Sequence, residues 1–400
     1  MNRHAYPGPD PSVFRLRPGD PLRYRPVAAD SLCHTPFGEL RLHRYPARRD
    51  EPLQAWCAAD LLLLDEVHRL HVPPRQTLVV NDEHGALSVA LRPLALWTDS
   101  ALTRHALRRN LEENPGPDVP VTWSTAEPQT VPALVVLRIP KQLPYLEYQL
   151  AILARRLQPG STVIAAGMDK HLSPRVAELL EQYIGPTLRH RGQRKARLFS
   201  ASRDQRSAAP GATLSRYYCD PLAAELQALP NCFSRDRLDG GSRLLLAQLR
   251  GIEPVSTLLD LACGNGVLGL AAFGMGLAQE LVFADESAMA VASARLNASA
   301  LFPSDSGAFS YWHGDGLADY AGPPLPLILL NPPFHLNHAV DDYAGRRLLE
   351  HCARHLRPGG HLYVVANQHL DYGPTLRRHF TRVEKLARDR RFVVWRAQRG

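Results

Sequence analysis

The sequence predicts an α/β protein made of two tandem copies of one unit, each with a mixed, mostly parallel sheet covered by helices on both faces. Three observations favour this class. The chain has 400 residues and 45% apolar content, more than one hydrophobic core usually needs. Short continuous apolar runs alternate with amphipathic helical segments, which is typical of buried parallel strands. Four local patterns also recur in the same order in the two halves of the chain.

The repeat consists of four pairs of segments, and each pair carries a different local signal. The first two pairs are TLVVNDEHGALSVAL (77–91) with TLLDLACGNGVLGL (257–270), and TDSALTRHALRRN (98–110) with DESAMAVASARLN (285–297). The others are LVVLRIPK (134–141) with LILLNPPF (327–334), and LQPGSTVIAAGMDKHLSP (157–174) with LRPGGHLYVVANQHLDYGP (356–374). Strand-like segments at 194–201 and 390–397 end the two copies. The order of the pairs indicates duplication of a whole α/β unit.

The copies divide the chain into four parts. Residues 1–36 are rich in proline and arginine without a sustained period, so we expect a flexible extension. The first unit should cover 37–202, residues 203–232 should connect the units, and the second unit should cover 233–400.

The composition excludes several classes. No apolar stretch approaches the roughly 18 residues of a spanning helix, and no apolar region marks a secretory signal, so we expect a soluble cytoplasmic protein. The six cysteines are scattered without a C-x-x-C pair, which favours reduced thiols and no structural metal. The net charge of +8 is compatible with a polyanionic partner.

A glycine-rich turn in the second copy indicates a ligand site. Gly264 and Gly266 follow a predicted strand and precede a helix, where backbone amides can approach a ligand closely. The pattern also fits a dinucleotide-binding turn, with Asp285 at about the expected 20 residues further on. A tight turn without a ligand is the simpler alternative.

Acidic residues distinguish among these possibilities. Asp260 before the glycines would repel a pyrophosphate, but it suits the ammonium group of S-adenosylmethionine, which has no phosphates. Asp285 or Glu286, at the end of the next strand, suits a ribose diol. Asp315, in a G-D-G turn, is a weaker candidate for the adenine amine.

The segment Asn331-Pro332-Pro333-Phe334 follows an apolar strand, which places it at the carboxyl end of the sheet. The Asn331 side-chain oxygen and the Pro332 carbonyl can together accept both hydrogens of an exocyclic amine. They would direct the nitrogen lone pair toward an electrophilic methyl group, while Phe334 stacks on a planar base or amide. These three residues are therefore the predicted catalytic group.

DLACGNG, the following acid and NPPF together resemble the class I amino-methyltransferases. Five longer segments are similar to the tandem-domain rRNA guanine-N2-methyltransferases, and closer to members that modify 23S rRNA than to those that modify 16S rRNA. These segments are PLQAWCAADLLLL (52–64), FSRDRLDGGSRLLL (233–246), DESAMAVASARLN (285–297), NPPFHLNHA (331–339) and YVVANQHLDY (363–372). The resemblance covers about residues 40–396.

The resemblance implies two tandem class I, Rossmann-like methyltransferase domains, with the N-terminal copy degenerate. It implies methyl transfer from S-adenosylmethionine to N2 of one guanosine in 23S rRNA. Carried over by motif, the cofactor-binding residues are Asp260, Gly264, Gly266, Asp285, Glu286, Asp315, Ser234 and Asp239, and the last two are expected to close over the cofactor. Arg237 stands where the family usually has glycine.

The first copy should lack the chemistry. Aligned on the shared segments, Asn81 replaces Asp260, Leu87 replaces Gly266, Arg138 replaces Asn331 and Lys141 replaces Phe334. Arg138 and Lys141 would repel a sulfonium but suit phosphates, so this unit is predicted to bind RNA.

Four alternatives remain open. Two concern the target, which could be 16S rRNA, or an adenine N6 or glutamine N5 amine, since an N-P-P-aromatic segment serves all planar amines. A non-catalytic RNA-binding assembly factor and a nicotinamide oxidoreductase fit less well. Because the two copies resemble a dimer within one chain, we expect a monomer.

Overall fold

A computed structural model describes residues 31–48, 51, 53–205, 210–212, 214–333 and 342–400. The chain divides into two compact units, Met1–Ala212 and Thr213–Gly400. Each unit contains a seven-stranded, mostly parallel sheet and a separate two-stranded hairpin. The structure thus confirms the predicted α/β class with two tandem units.

The first unit begins with the hairpin β1–β2, and its sheet has the order β5-β4-β3-β6-β7-β9-β8. Its strands are β1 (Leu32–Thr35), β2 (Gly38–Arg41), β3 (Thr77–Val80), β4 (Ala95–Thr98), β5 (Val121–Trp123), β6 (Leu134–Arg138), β7 (Thr162–Met168), β8 (Thr187–Arg189) and β9 (Ala196–Ser202). Its α-helices are α1 (Ala58–Leu70), α2 (Ala86–Leu91), α3 (Ala101–Glu113), α4 (Leu143–Arg156) and α5 (Val176–Tyr183).

The second unit begins with the hairpin β10–β11, and its sheet has the order β14-β13-β12-β15-β16-β18-β17. Its strands are β10 (Ser215–Cys219), β11 (Ala224–Ala228), β12 (Val255–Leu261), β13 (Ala278–Asp285), β14 (Phe309–His313), β15 (Leu325–Leu330), β16 (Leu356–Asn367), β17 (Arg382–Arg388) and β18 (Phe392–Gln398). Its α-helices are α6 (Gly240–Leu246), α7 (Val267–Gly274), α8 (Ala288–Leu301), α9 (Asp342–His355) and α10 (Gly373–His379).

The central strands are buried on both faces, which explains their continuous apolar sequences. Every residue of β3 and of β15 is buried. Successive residues contribute to different core clusters: Leu78 packs in one cluster and Val79 in another. Each sheet therefore lies between two hydrophobic layers, as parallel sheets require.

The two sheets share strand order and register. In the first, Thr77 of β3 pairs with Leu134 of β6; in the second, Leu258 of β12 pairs with Leu327 of β15. The last two strands of each order are antiparallel to each other. This agreement supports the duplication inferred from the sequence.

The unit boundaries differ from the expected ones. The first described strand, β1, begins at Leu32, before the expected residue 37. The hairpin β10–β11 lies within the expected connector 203–232, yet hydrogen bonds from Asn297 of α8 hold it to the second unit. Residues 1–30 of the expected extension lie outside the described part of the chain.

The site is positioned by a topological switch point. In the second sheet β12 lies between β13 and β15, so chain segments leave its carboxyl edge in opposite directions, and ligands of α/β proteins bind in such a crevice. Among the described residues, no helix has both the length and the apolar character needed to cross a membrane.

Candidate active site

The turn after β12 places backbone without side chains, at two glycines, at the carboxyl edge of the second sheet. Ala262, Gly264 and Gly266 have φ angles of 56°, 54° and 86°. A Cβ atom at Gly264 would meet nothing within 4 Å, whereas one at Gly266 would lie 2.9 Å from the Phe283 ring and 3.1 Å from Ala294. Gly264 therefore leaves the turn open to a ligand, and Gly266 allows α7 to pack closely against β13 and α8.

Asp260, near the end of β12, is completely buried. Its Oδ2 accepts a hydrogen bond from the Gly269 amide at 2.8 Å, while its Oδ1 has no hydrogen-bond partner within the described ranges. Burial, aided by the negative charge of Asp285, raises the pKa of Asp260 to about 8. A buried carboxyl group with one unused oxygen is suited to receive a cationic ligand group.

Asp285, at the end of β13, connects two turns. Its Oδ2 accepts a hydrogen bond from the Gly264 amide at 3.0 Å, and its Oδ1 accepts one from the Ser287 amide at 2.9 Å. Glu286 is half-buried, and its carbonyl lies 2.9 Å from His313 Nε2. Asp285 thus fixes the open glycine turn, with Glu286 beside it.

Asp315 is buried in an ion pair that the sequence did not reveal. Arg347 of α9 donates hydrogen bonds to both carboxylate oxygens, one of them at 2.6 Å between Nη1 and Oδ1. Two parallel bonds of this kind fix a guanidinium and a carboxylate in one plane. No local pattern signals the pair, because Arg347 lies 32 residues further along the chain.

Asn331 follows β15 at the carboxyl edge, with its amide held in one orientation. Its Nδ2 donates hydrogen bonds to Asp239 Oδ2 at 3.0 Å and to Ser242 Oγ at 2.9 Å. Because a carboxylate only accepts, the nitrogen must be the atom that faces Asp239. Asn331 Oδ1 is buried and has no hydrogen-bond partner in the described chain, so it remains an unused acceptor.

The neighbours of Asn331 in the sequence are only partly described. Pro332 is buried next to it. Phe334 lies outside the described residues, so its stacking stays a prediction.

Asp239 and Ser234 occupy different surroundings. Asp239 is the N-cap of α6, where its Oδ2 accepts from the Ser242 amide at 3.0 Å in addition to Asn331. Ser234 has a φ of 50°, and its hydroxyl donates to the Arg237 carbonyl at 2.7 Å, within its own loop. Asp239 therefore directly orients the candidate catalytic amide, a contact that the sequence did not predict.

Asn297 of α8 is a structural residue that sequence reasoning missed. Its Nδ2 donates to the Asn265 carbonyl in the glycine turn at 2.9 Å and to the Gln227 carbonyl in β11 at 2.8 Å. Its Oδ1 accepts from the Gln227 amide at 2.8 Å. One buried side chain thus joins the glycine turn to the hairpin; only its place at the end of the repeated segment 98–110/285–297 could have indicated it.

The first unit has a different set of side chains at the same edge. Arg138, at the position of Asn331, donates to Asp60 Oδ1 at 2.8 Å and to Cys57 Sγ at 3.0 Å. This pairing neutralises the charge that was expected to face phosphates. Lys141 is exposed, and both Glu83 and Lys170 are close enough to act on it electrostatically.

Two of the expected replacements in the first unit are corrected by the register. Because Thr77 occupies the position of Leu258, Val79 and not Asn81 stands where the second unit has Asp260. The glycine that begins the helix is also present: Gly85 precedes α2 with a φ of 86°, as Gly266 precedes α7. Leu87 is therefore inside α2 and does not block the turn.

The described residues of the second unit fit S-adenosylmethionine. The unused Oδ1 of Asp260 suits an ammonium group, and the bare backbone at Gly264 permits close approach of the methionine part. The carboxylates at Asp285 and Asp315 supply acceptors further along the same edge. In the first unit Val79 stands at the position of Asp260, but Asp82 supplies a buried carboxylate there, and its Oδ2 accepts a hydrogen bond from the Ser88 amide at 2.7 Å.

Comparisons with known proteins agree with this geometry. The family model described as RLMG N-terminal domain matches residues 30–205, and the model described as methyltransferase small domain matches residues 223–396. The solved structure of the T. thermophilus 16S rRNA N2 methyltransferase RsmC, in complex with AdoMet and guanosine, is 22% identical. It superposes with a TM-score of 0.71 over 92% of this chain and 97% of that one, which shows the shared fold.

Closer relatives settle the family. "Ribosomal RNA large subunit methyltransferase G" of Alcanivorax borkumensis is 40% identical over 91% of this chain and 96% of its own length. The protein of the same name in Stutzerimonas stutzeri is 40% identical over 92% of this chain and 99% of its own length. The chain therefore belongs to the ribosomal RNA large subunit methyltransferase G family and is an S-adenosylmethionine-dependent rRNA methyltransferase.

Proposed function

We propose that the protein transfers the methyl group to the exocyclic N2 of one guanosine in 23S rRNA. The observation that carries this proposal is the orientation of Asn331. Its nitrogen is bound to Asp239 and Ser242, which leaves only its oxygen to face a substrate. An acceptor at a switch point suits an amine donor, and the names of the relatives point to large-subunit rRNA.

The chain's own residues would activate the amine by accepting its hydrogens. The guanine N2 lone pair is delocalised into the ring, so the free amine is a weak nucleophile. Asn331 Oδ1 and the Pro332 carbonyl would accept its two hydrogens, which favours a pyramidal nitrogen and stabilises the positive charge that develops on it. The negative charge of Asp239 behind the amide would strengthen this acceptor.

S-adenosylmethionine would supply the electrophilic methyl group. Asp260 would pair with its ammonium group, and the backbone at Gly264 would lie beside the methionine part. Asp285, or its neighbour Glu286, would accept from the ribose, and Asp315, fixed by Arg347, would lie near the adenine.

Phe334 is expected to stack on the guanine, which has to leave its helix or come from a single-stranded segment to reach the site. We also propose that the first unit helps to hold the RNA. Lys141 fits that task better than Arg138, because Lys141 is exposed, whereas only 15% of the Arg138 side chain is exposed in its pair with Asp60.

The test is methyl transfer from labelled S-adenosylmethionine to protein-free 23S and 16S rRNA, with wild type and Asn331→Ala. We expect label at one guanine N2 of 23S rRNA, and its loss in the variant. Label only in 16S rRNA would move the assignment to that RNA.

If neither RNA is labelled, the same assay is carried out on assembled ribosomal subunits. Failure there too, with RNA binding intact, would replace the proposal with a non-catalytic binding factor.

A further inference from the structure

The last antiparallel hairpin of each sheet lies at the edge that carries the site. In the second unit β17 runs parallel to β16, and Phe392 at the start of β18 pairs with Asn367 at the end of β16. The turn 389–391 is therefore at the carboxyl edge. In the first unit Ala196 of β9 pairs with Met168 at the end of β7, which puts the turn 190–195 at the corresponding edge.

Both turns are basic and exposed. The exposed cations are Arg388, Arg390 and Arg391 in the second unit, and Arg189, Arg191, Arg194 and Lys195 in the first. Within the described residues, none of them forms an ion pair with an acidic side chain. The segment 186–203 of the first unit contains no acid at all. These two clusters thus carry a net positive charge, which attracts polyanions.

The backbone of each turn is held in a defined conformation. Asp389, the one acid of the second turn, accepts hydrogen bonds on Oδ1 from the Arg391 and Phe392 amides, each at 2.7 Å. In the first turn, Gln193 and Ala196 exchange two backbone hydrogen bonds at 2.8 Å. The acid of the second turn is therefore a turn cap, and the cations project from fixed backbones.

The second turn adjoins the catalytic amide. The Phe392 ring lies against the start of α6, where a Cβ on Gly241 would be 3.4 Å from that ring and 3.4 Å from Asn331 Oδ1. Arg390 and Arg391 are one and two residues before Phe392. A strand of RNA that delivers a base to Asn331 would pass close to these cations.

We propose that these two hairpin turns are phosphate-binding elements for the RNA substrate, with the second turn contacting the backbone beside the target nucleotide. This inference rests on the proposed function. Arginine in a fixed turn suits phosphate because its guanidinium is always charged and can form two parallel hydrogen bonds. Such contacts position the nucleic acid without reading its sequence.

The experiment measures binding of the full-length protein to a 23S rRNA transcript across a range of salt concentrations. The test variants are Arg390→Gln with Arg391→Gln, and Arg191→Gln with Arg194→Gln. The control is Arg378→Gln with Arg382→Gln, which removes the same charge. Arg382 is at the opposite end of β17, about 20 Å from Arg388 at the usual rise of a strand.

We expect each test variant to bind several-fold more weakly, with a salt slope smaller by about 1 for each phosphate that the variant no longer neutralises. In the second turn, Lys at both positions should restore the slope. Test variants with the dissociation constant and slope of the control would overturn the proposal.

A second measurement uses only the wild type, so it does not depend on the folding of any variant. The rRNA should protect the arginines of both turns from an arginine-specific reagent, and leave Arg378 and Arg382 reactive. Equal reactivity with and without RNA would refute the contacts. Normal N2 methylation, together with turn variants that bind RNA as the control does, would reject this inference alone. Absence of N2 methylation would reject the proposed function.

Discussion

The carboxyl edges of the two sheets show how one scaffold supports two different sets of side chains. In both units, the N-cap and the third residue of a helix contact the residue at the carboxyl end of the fourth strand in the sheet order, which is β15 in the second unit and β6 in the first. In the second unit Asp239 and Ser242 hold Asn331. In the first unit the corresponding side chains of α1 hold Arg138. An amide bound by its nitrogen leaves an acceptor for a substrate, whereas a guanidinium has none to offer.

The space beside this position is also used differently. In the first unit Asn81 exchanges two hydrogen bonds of 2.9 Å with Gln149 of α4, and its Nδ2 also donates to the Arg138 carbonyl. These side chains pair across the switch point and leave one buried donor, Arg138 Nε, without a hydrogen-bond partner in the described chain. In the second unit Asp260 and Asn331 each retain a buried oxygen without such a partner. Unused buried acceptors cost stability, which is typical of a functional site.

The supporting structure, by contrast, is the same in both units. Asn110 of α3 repeats the contacts of Asn297: its Nδ2 donates to the His84 carbonyl at 2.8 Å and to the His43 carbonyl at 2.9 Å. Its Oδ1 accepts from the His43 amide at 2.9 Å. One buried asparagine therefore links the turn before the second helix to the segment of the hairpin in the same way in both units.

The largest expected effect is on Asn331. Replacing it with alanine should lower kcat by at least about a hundredfold, because the acceptor for the developing charge is removed. Arg138→Ala, the matched change in the first unit, should leave kcat at saturating RNA unchanged. It should instead lower the free energy of unfolding by about 1–3 kcal/mol, because Asp60 loses its partner. Steady-state methyl transfer and urea denaturation check both, and loss of kcat in Arg138→Ala would break the comparison.

The second prediction separates the contribution of a residue to stability from its contribution to cofactor binding. Asn297→Ala and Asn110→Ala should each destabilise the protein by about 2–4 kcal/mol, since buried backbone groups lose their partners. Only Asn297→Ala should also weaken S-adenosylmethionine binding, because Asn297 holds the carbonyl of Asn265 in the ligand turn. Denaturation and calorimetric titration measure the two effects, and weaker cofactor binding in Asn110→Ala as well would contradict the assignment.

The third prediction concerns the orientation of the amide. Asp239→Ser should keep the N-cap of α6 but not the contact with Asn331, so kcat should fall by about tenfold while the KM for the cofactor stays near the wild-type value. Asp239→Asn, which retains an acceptor oxygen, should recover part of the rate. Cys57→Ser is the control at the corresponding position of the first unit. A rise in the cofactor KM with kcat unchanged would instead favour closure of Asp239 over the cofactor.

The smallest effect is a pH dependence of stability. The pKa of Asp260 is raised to about 8 by burial and by Asp285, so the folded protein favours its neutral form. The unfolded chain ionises it at the ordinary value, so this group's contribution to stability is present at acidic pH and is lost as the pH rises toward 8. Urea denaturation of the cofactor-free protein at pH 6 and pH 8 should show a smaller decrease in Asp260→Asn than in wild type. Equal decreases would exclude Asp260 as the cause.

Sequence patterns could predict the features that depend on residues close together in the chain. The apolar runs and the repeated segments indicated both sheets, and because parallel strand ends meet at one edge, Asp260, Asp285 and Asn331 were expected near one another. The contacts that complete the site join distant segments: Asn331 is 92 residues from Asp239. Such pairs leave no local pattern.

The error in the first unit has a physical origin. Matching Asn81 with Asp260 puts Leu78 opposite Thr257, which is two residues out of step with the strand pairing that puts Thr77 at the position of Leu258. Only the pairing with β6 and β15 fixes the register. This pairing shows that Val79, and not Asn81, corresponds to Asp260, and that Gly85 corresponds to Gly266.

The difference between the two edges implies that only one of the two units binds the methyl donor. Equilibrium titration of the full-length protein with S-adenosylmethionine tests it most directly, combined with photochemical crosslinking of labelled cofactor and peptide mapping. Binding to the second unit alone predicts one site per chain, with label confined to peptides from residues 255–333. Two equivalent sites per chain, or label in the turn 81–85, would contradict it.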